Sequence, residues 1–174
     1  MSKVQVMSQT LAPYIDVVKV LFSAPRTLLL SIDDDRAQWR LSLHLLAAAV
    51  VCNAVLETLI QQDLALGALA LIHLPLLALF YTAVLHLFAT WLLQTPVPWL
   101  RTNTALNYAM VTAIFVPIPY VSVVAMGYFF FLIFLILQDL YGAVRNRALV
   151  SLSLFVMAAL VFAAAAARLG LVNP

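Results

Sequence analysis

Five long runs of apolar residues, separated by short polar segments, constrain this chain more than any other feature. The runs cover residues 41–60, 66–93, 100–116, 120–137 and 149–167. A helix of twenty residues is about 30 Å long, which matches the hydrocarbon thickness of a bilayer. Helices also satisfy their own backbone hydrogen bonds in lipid. The runs therefore predict an all-α polytopic membrane protein with five transmembrane helices in a single domain, residues 1–174.

The overall composition supports the same class of protein. Charged residues make up 9% of the chain and the mean hydropathy is +1.07, whereas roughly a quarter of the residues in ordinary soluble domains are charged. The alternating pattern of a membrane β-barrel is absent. The net charge of +2 argues against nucleic acid as a partner, and the single cysteine, Cys52, excludes a disulfide within the chain. Because no cleavable secretory signal precedes it, we expect the first span to act as the targeting signal.

The stretch FVPIPYV, residues 115–121, interrupts one of the longest apolar regions. An unbroken helix over residues 104–138 would be about 52 Å long, which is far more than the roughly 30 Å of a bilayer core. Each proline lacks a backbone donor and disfavours helix in the residue before it. We therefore expect a tight turn at residues 117–119 between the third and fourth spans. A re-entrant half-helix is the alternative.

The segment before the first span, residues 1–40, contains an amphipathic stretch. Over residues 14–30 the polar side chains recur at helical spacing and leave the other face apolar; they are Asp16, Lys19, Ser23 and Arg26. The stretch predicts a helix lying in the membrane interface or a helix that packs on the spans. Pro25 should kink this helix or restart it with Ser23 as the N-cap.

Three consecutive aspartates, Asp33, Asp34 and Asp35, come just before the first span. Such a cluster can bind a cation, but carboxylates ahead of a helix also favour its positive N-terminal end. We interpret them as the start of the first transmembrane helix.

The distribution of basic residues predicts the orientation in the membrane. With the N-terminus inside, the outer side carries only Arg168 among the lysines and arginines, and the inner segments carry the other eight: Lys3, Lys19, Arg26, Arg36, Arg40, Arg101, Arg145 and Arg147. We expect a multi-pass protein of a bacterial inner membrane, with a cytoplasmic N-terminus and a periplasmic C-terminus.

The N-terminal stretch VVKVLFSAPRTLL (17–29), the order of five spans, the proline turn and the stretch YGAVRNRA (141–148) together resemble the Yip1-domain membrane proteins of bacteria. The resemblance covers nearly the whole chain and implies a compact five-helix membrane module. Eukaryotic members are tied to vesicle trafficking and to small GTPases. That activity is not transferred, because those proteins have a longer cytosolic region before the first span.

Four ionisable side chains within the predicted spans are candidate sites, because such groups are costly in lipid: Glu57, His73, His44 and His86. Glu57 and His73 approach the same side of the membrane, and the hairpin between spans one and two could pair them for proton relay or for charge neutralisation. His44 and His86 lie in the inner half of neighbouring helices and could hold haem or a metal ion. Asn53 and Asn107 are neutral polar companions.

No catalytic motif accompanies these residues. The chain lacks a phosphate-binding glycine loop, a nucleophile elbow and a zinc-protease motif. The sequence therefore predicts a protein without enzymatic activity or cofactor, acting as a membrane scaffold or accessory subunit. Its expected partners are the lipid bilayer and other integral membrane proteins or further copies of itself, with the small residues of the AAAAA run (163–167) as one docking face. A transporter or channel subunit is the alternative, and a haem or metal protein is a third hypothesis.

Overall fold

The protein is all-helical, as the sequence predicts. The computed structural model describes the backbone of residues 3–168 and the side chains of residues 12–161. Helix makes up 85% of the structure, and no strand occurs in the described part. The helices, in chain order, are α1 (Lys3–Ser23), α2 (Pro25–Leu30), α3 (Arg36–Gln61), α4 (Leu64–Leu93), α5 (Trp99–Ala109) with a 3₁₀ extension (Met110–Phe115), α6 (Val121–Leu135) with a π-helical end (Ile136–Leu140), and α7 (Arg145–Arg168).

Three helices are long and apolar enough to cross a membrane, by length and composition, among the residues described. They are α3, α4, and the helix formed by α6 with its π-helical end, Val121–Leu140. The chain is thus built as a membrane protein would be. The third and fifth predicted spans correspond to α5 with its extension and to α7.

The N-terminal helices pack against the bundle through their apolar face. Leu21 is 1% exposed, whereas Asp16, Lys19 and Ser23 of the predicted stripe are exposed. The Tyr128 hydroxyl of α6 donates to the backbone carbonyl of Leu21 at 2.6 Å, and the Phe22 and Tyr128 rings are stacked with centroids 5.4 Å apart. The described side chains of this segment therefore pack on the bundle, and its position at the membrane interface stays a prediction.

The expectation that Ser23 caps the restarted helix is wrong. The N-cap of α2 is Ala24, and no side chain caps that helix. The Ser23 hydroxyl donates backward to the carbonyl of Lys19 at 2.8 Å. The physical reason is that Pro25 occupies the first helical position, where its missing N–H is harmless, so the helix restarts one residue later than Ser23 would allow.

Aspartates begin the next two helices. The Asp35 carboxylate accepts from the Ala37 N–H at 3.0 Å and is the N-cap of α3, which confirms the helix-start interpretation. The Asp63 carboxylate caps α4 in the same way, at 2.8 Å from the Ala65 nitrogen. Between the helices Gln62 adopts a left-handed conformation, with φ of 54°, so the turn is short.

The α3–α4 hairpin is closed tightly by a glycine. A Cβ added to Gly67 would lie 2.6 Å from the Ala54 carbonyl oxygen and would overlap the Thr58 hydroxyl. The absence of a side chain at Gly67 therefore lets the two helix backbones approach closely. This contact sets the axial register of α4 on α3.

The chain breaks where the two prolines predict a break. Helix ends at Phe115 and resumes at Val121. Within the break Pro117 is buried, Pro119 is exposed, and Tyr120 has a φ of 66°. A single helix through this region is excluded by the structure.

Helix α5 lies at the centre of the bundle. It packs against α3, α4 and α6, and every residue from 102 to 113 is buried. Its own Leu106 is fully buried, as are large side chains of α6 and its π-helical end: Leu132, Ile133 and Ile136. A partly polar helix in the centre is the physically favoured arrangement, because asparagine and threonine facing lipid would lack partners.

Candidate functional site

A buried hydrogen-bond network joins the central helix to α3 and α4. Asn103 is its hub: its Oδ1 accepts from the Trp39 Nε1 at 2.8 Å, and its Nδ2 donates to the Thr82 hydroxyl at 3.1 Å. The Asn107 Nδ2 donates to both the Asn103 Oδ1 at 3.2 Å and the Ser42 hydroxyl at 3.1 Å. All of these side chains are buried except Trp39, which is partly exposed. The network uses almost the full bonding capacity of Asn103, so it specifies one arrangement of the three helices.

A second polar cluster lies beside the first and reaches the segment after α6. The Thr102 and Tyr141 hydroxyls are 2.6 Å apart, and the His86 Nδ1 lies 3.2 Å from each of them. The Trp99 ring packs edge-on against His86 with centroids 5.3 Å apart. The Thr95 hydroxyl donates to the backbone carbonyl of Tyr141 at 3.1 Å. These contacts fasten the end of α6 to α4 and α5.

The hydrogen bonds of this cluster hold neighbouring segments of the fold together. Burial raises the pKa of Tyr141 to about 12, although its hydrogen bond to Thr102 lowers it in part. The tyrosine therefore stays protonated at neutral pH and keeps a donor for the cluster. A threonine beside a histidine resembles a nucleophile and its base, but Thr102 is 0% exposed. Its hydroxyl is already engaged by Tyr141 and His86, so in this structure it joins helices to one another.

Two arginines fasten the peripheral segments to the bundle. The Arg26 Nε of α2 lies 3.3 Å from the Asp139 Oδ2, and its Nη2 donates to the Gln138 Oε1 at 3.0 Å. The Arg101 Nε donates to the carbonyl of Ile32 at 2.9 Å. Both arginines therefore bind protein groups at this end of the bundle, the end that holds the predicted inner loops.

Glu57 and His73 are both partly exposed, and neither has a hydrogen bond or ion pair in the described part of the chain. The register explains why they do not pair. Gly67 lies against Ala54 and Thr58, so His73, six residues further along α4, lies beyond Ala54 and away from Glu57. The hairpin, which could have paired them, places them roughly 10 Å apart along the helix axes at 1.5 Å per residue.

His44 and His86 make hydrogen bonds with different partners. The His44 Nδ1 lies 3.0 Å from the Tyr14 hydroxyl of α1, whereas His86 belongs to the cluster with Thr102 and Tyr141. No group of three His, Cys, Asp or Glu side chains suited to a metal ion occurs among the described residues. Each histidine thus joins its helix to another segment of the fold.

Asn53 and Asn107, the two neutral polar residues singled out in the sequence, are both buried and bonded. The Asn53 Nδ2 donates to the Ala113 carbonyl at 2.6 Å and joins α3 to the 3₁₀ extension of α5. The sequence analysis does not identify the other members of the two networks, because hydroxyls, an indole and a single further asparagine carry no distinctive pattern by themselves; these members include Trp39, Thr82, Thr102, Asn103 and Tyr141. Asn103 and Asn107 are four residues apart and share one helix face. That spacing was the available signal for a polar face inside the bundle.

Comparison of the chain with models of protein families, with curated proteins and with solved structures returns no match.

Proposed function

We propose that all five predicted spans cross a bacterial inner membrane, with the N-terminus in the cytoplasm. Three helices meet the requirements of length and apolarity directly. Helix α5 with its 3₁₀ extension is about 28 Å long, and α7 is about 36 Å long, so both approach or exceed the hydrocarbon thickness. The excess of basic residues on one side supports the orientation.

Cysteine accessibility tests this topology at the proline turn. In a Cys52→Ser background, single cysteines at Gln61 and Tyr120 should react with a membrane-impermeant maleimide in intact spheroplasts, because both side chains are exposed, Gln61 at the end of α3 and Tyr120 in the break before α6. Cysteines at Asp34 and Val144, also exposed, should react only after lysis. They are the matched inner controls.

The position of the Tyr120 reporter separates the two interpretations of the turn. In a five-span protein it labels from outside as readily as the Gln61 reporter. Protection of the Tyr120 cysteine in intact spheroplasts, with reaction after lysis, would mean that the chain does not reach the periplasm there. The five-span topology would then be wrong.

Within this topology, we propose that the protein is a non-enzymatic scaffold or accessory subunit that docks another integral membrane protein. The observation that carries the proposal is the outward face of α3. Three small residues, Ala47, Ala48 and Cys52, are exposed there beside Val51 and Val55, which are 54% and 52% exposed. Small side chains permit the close backbone approach on which helix association in membranes depends. The resemblance to Yip1-domain proteins supports a compact module of this kind.

The polar groups of the bundle favour this role over that of a transporter or channel subunit. A conduction path needs polar groups that face an open passage. Here the asparagine, threonine and serine side chains of the central network bind one another between packed helices. The AAAAA run, the other docking face expected from the sequence, lies outside the described side chains.

Site-specific photocrosslinking tests the docking role. With a photoreactive amino acid at Val51 or Val55, we expect crosslinking in membranes to one defined protein. That protein should also co-purify stoichiometrically in mild detergent. The same amino acid at Leu79 or Leu87, which are 55% and 64% exposed on α4, is the control and should yield no such product.

The products distinguish the kinds of partner. A crosslinked species of twice the chain mass from α3 alone identifies a second copy as the partner. Absence of any protein adduct from α3, together with a monomer free of companions after purification, would contradict the docking role.

A further inference from the structure

An open cleft of about 300 Å³ lies between the C-terminal end of α4 and the N-terminal end of α7. Leu92, Leu93 and Val150 form its apolar wall, and Asn146, Arg147 and Ser151 form its polar side. The two networks described above do not include any of these residues. The cleft therefore combines an apolar surface with polar side chains that make no side-chain hydrogen bond or ion pair among the described residues.

Ser151 is the residue of the cleft that most directly indicates a ligand. Its side chain is 2% exposed, and its hydroxyl has no hydrogen-bond partner within the described residues. The hydroxyl of Ser153, two residues further along the same helix, donates to the Leu149 carbonyl at 3.0 Å in the usual way. A buried hydroxyl without a partner is costly and rare in folded proteins. The unpaired Ser151 hydroxyl in the wall of a cleft points to a ligand that accepts its hydrogen bond.

The charge and backbone around Ser151 favour an anion. Arg147 lies four residues before Ser151, on the same face of α7, and its exposed guanidinium has no ion pair in the described structure. Arg147 lies in the first turn of a 24-residue helix, whose N–H groups and dipole attract negative charge, and Ser151 lies one turn further along. Val144, the residue before the helix, has no side-chain oxygen with which to cap it. An arginine, an unpaired hydroxyl and the nearby start of a helix together suit a phosphate group.

We propose that this cleft binds an anionic phospholipid of the cytoplasmic leaflet. Arg147 pairs with the phosphodiester, the Ser151 hydroxyl donates to it, and an acyl chain lies along Leu92 and Val150. The apolar wall distinguishes a lipid from free phosphate, which would gain nothing from it. The inference rests on the proposed topology, in which the start of α7 lies at the cytoplasmic interface.

Native mass spectrometry of the purified full-length chain tests the proposal. Detergent-solubilised protein is titrated with phosphatidylglycerol, with phosphatidylcholine and, separately, with inorganic phosphate. We expect phosphatidylglycerol to bind at one saturable site and more tightly than phosphatidylcholine, and inorganic phosphate not to compete at millimolar concentration. Arg147→Gln should weaken phosphatidylglycerol binding about tenfold, the loss expected for one charge-assisted contact, and Arg147→Lys should recover part of the affinity.

The chain offers a matched control for each substitution. Arg145→Gln removes an exposed cation two residues away, and Ser153→Ala removes a hydroxyl outside the cleft. Both should leave lipid binding unchanged. Ser151→Ala should weaken binding several-fold and leave the lipid-free protein no less stable, because it removes an unpaired buried hydroxyl.

Two results would overturn the proposal. Equal losses in Arg145→Gln and Arg147→Gln would show attraction by general charge rather than a site. Competition by inorganic phosphate at the affinity of the lipid would identify a soluble anion as the ligand. Neither result bears on partner docking, which is measured by crosslinking from α3.

Discussion

Replacement of Asn103 by leucine should destabilise the bundle by about 2–3 kcal/mol. The Asn103 side chain forms hydrogen bonds with Trp39, Thr82 and Asn107. An interhelical hydrogen bond in a membrane protein contributes about 0.6 to 1.7 kcal/mol to stability. Leucine has a similar volume, so the loss arises mainly from buried donors that are left without partners. Reversible unfolding in mixed micelles with increasing dodecyl sulfate measures the difference.

Asn146→Leu is the matched control for this substitution, since the same change is made at an exposed asparagine. Its free energy of unfolding should stay within about 0.5 kcal/mol of the unmodified protein. A double-mutant cycle gives a sharper test: Trp39→Phe should cost about 1 kcal/mol alone and close to nothing in the Asn103→Leu background. Additive effects in the cycle would show that the two side chains are not coupled and would contradict the network.

Replacement of Gly67 by alanine should destabilise the protein by about 2 kcal/mol, the usual cost of inserting a methyl group into a close contact. The new Cβ would lie 2.6 Å from the Ala54 carbonyl oxygen, and a backbone atom cannot move aside as a flexible side chain can. The two helices must therefore separate or slide. The same unfolding measurement detects the loss, and a crosslink between cysteines placed on α3 and α4 detects the displacement.

Gly127→Ala is the control, because no atom lies within 4 Å of a Cβ added there. It should be neutral or stabilising by up to about 1 kcal/mol, owing to the better helix propensity of alanine. Equal stability of the Gly67→Ala and Gly127→Ala proteins would mean that α3 and α4 are not in close backbone contact. The register that separates Glu57 from His73 would then need revision.

The candidate residues chosen from the sequence identify only part of the buried polar networks. Charge drew attention to Glu57 and His73, which the axial register of the hairpin keeps apart. His86 was identified, but its partners Thr102 and Tyr141 were not, because neutral hydroxyls in an apolar chain carry no distinctive pattern. Tyr141 lies 55 residues after His86, so their meeting depends on how α4 and α6 pack, and no local rule specifies that packing.

The sequence by itself determined where helices begin and end, because those boundaries depend on interactions between near neighbours in the chain. The carboxylates of Asp35 and Asp63 start helices, and the two prolines end one, since each acts on backbone within a few residues. The tertiary structure decided which buried groups meet. Asn103 reaches Trp39 across 64 residues of chain, and Gly67 selects a single axial position for α4. These choices arise from shape and hydrogen bonding between helices, which become defined only when the helices are packed together.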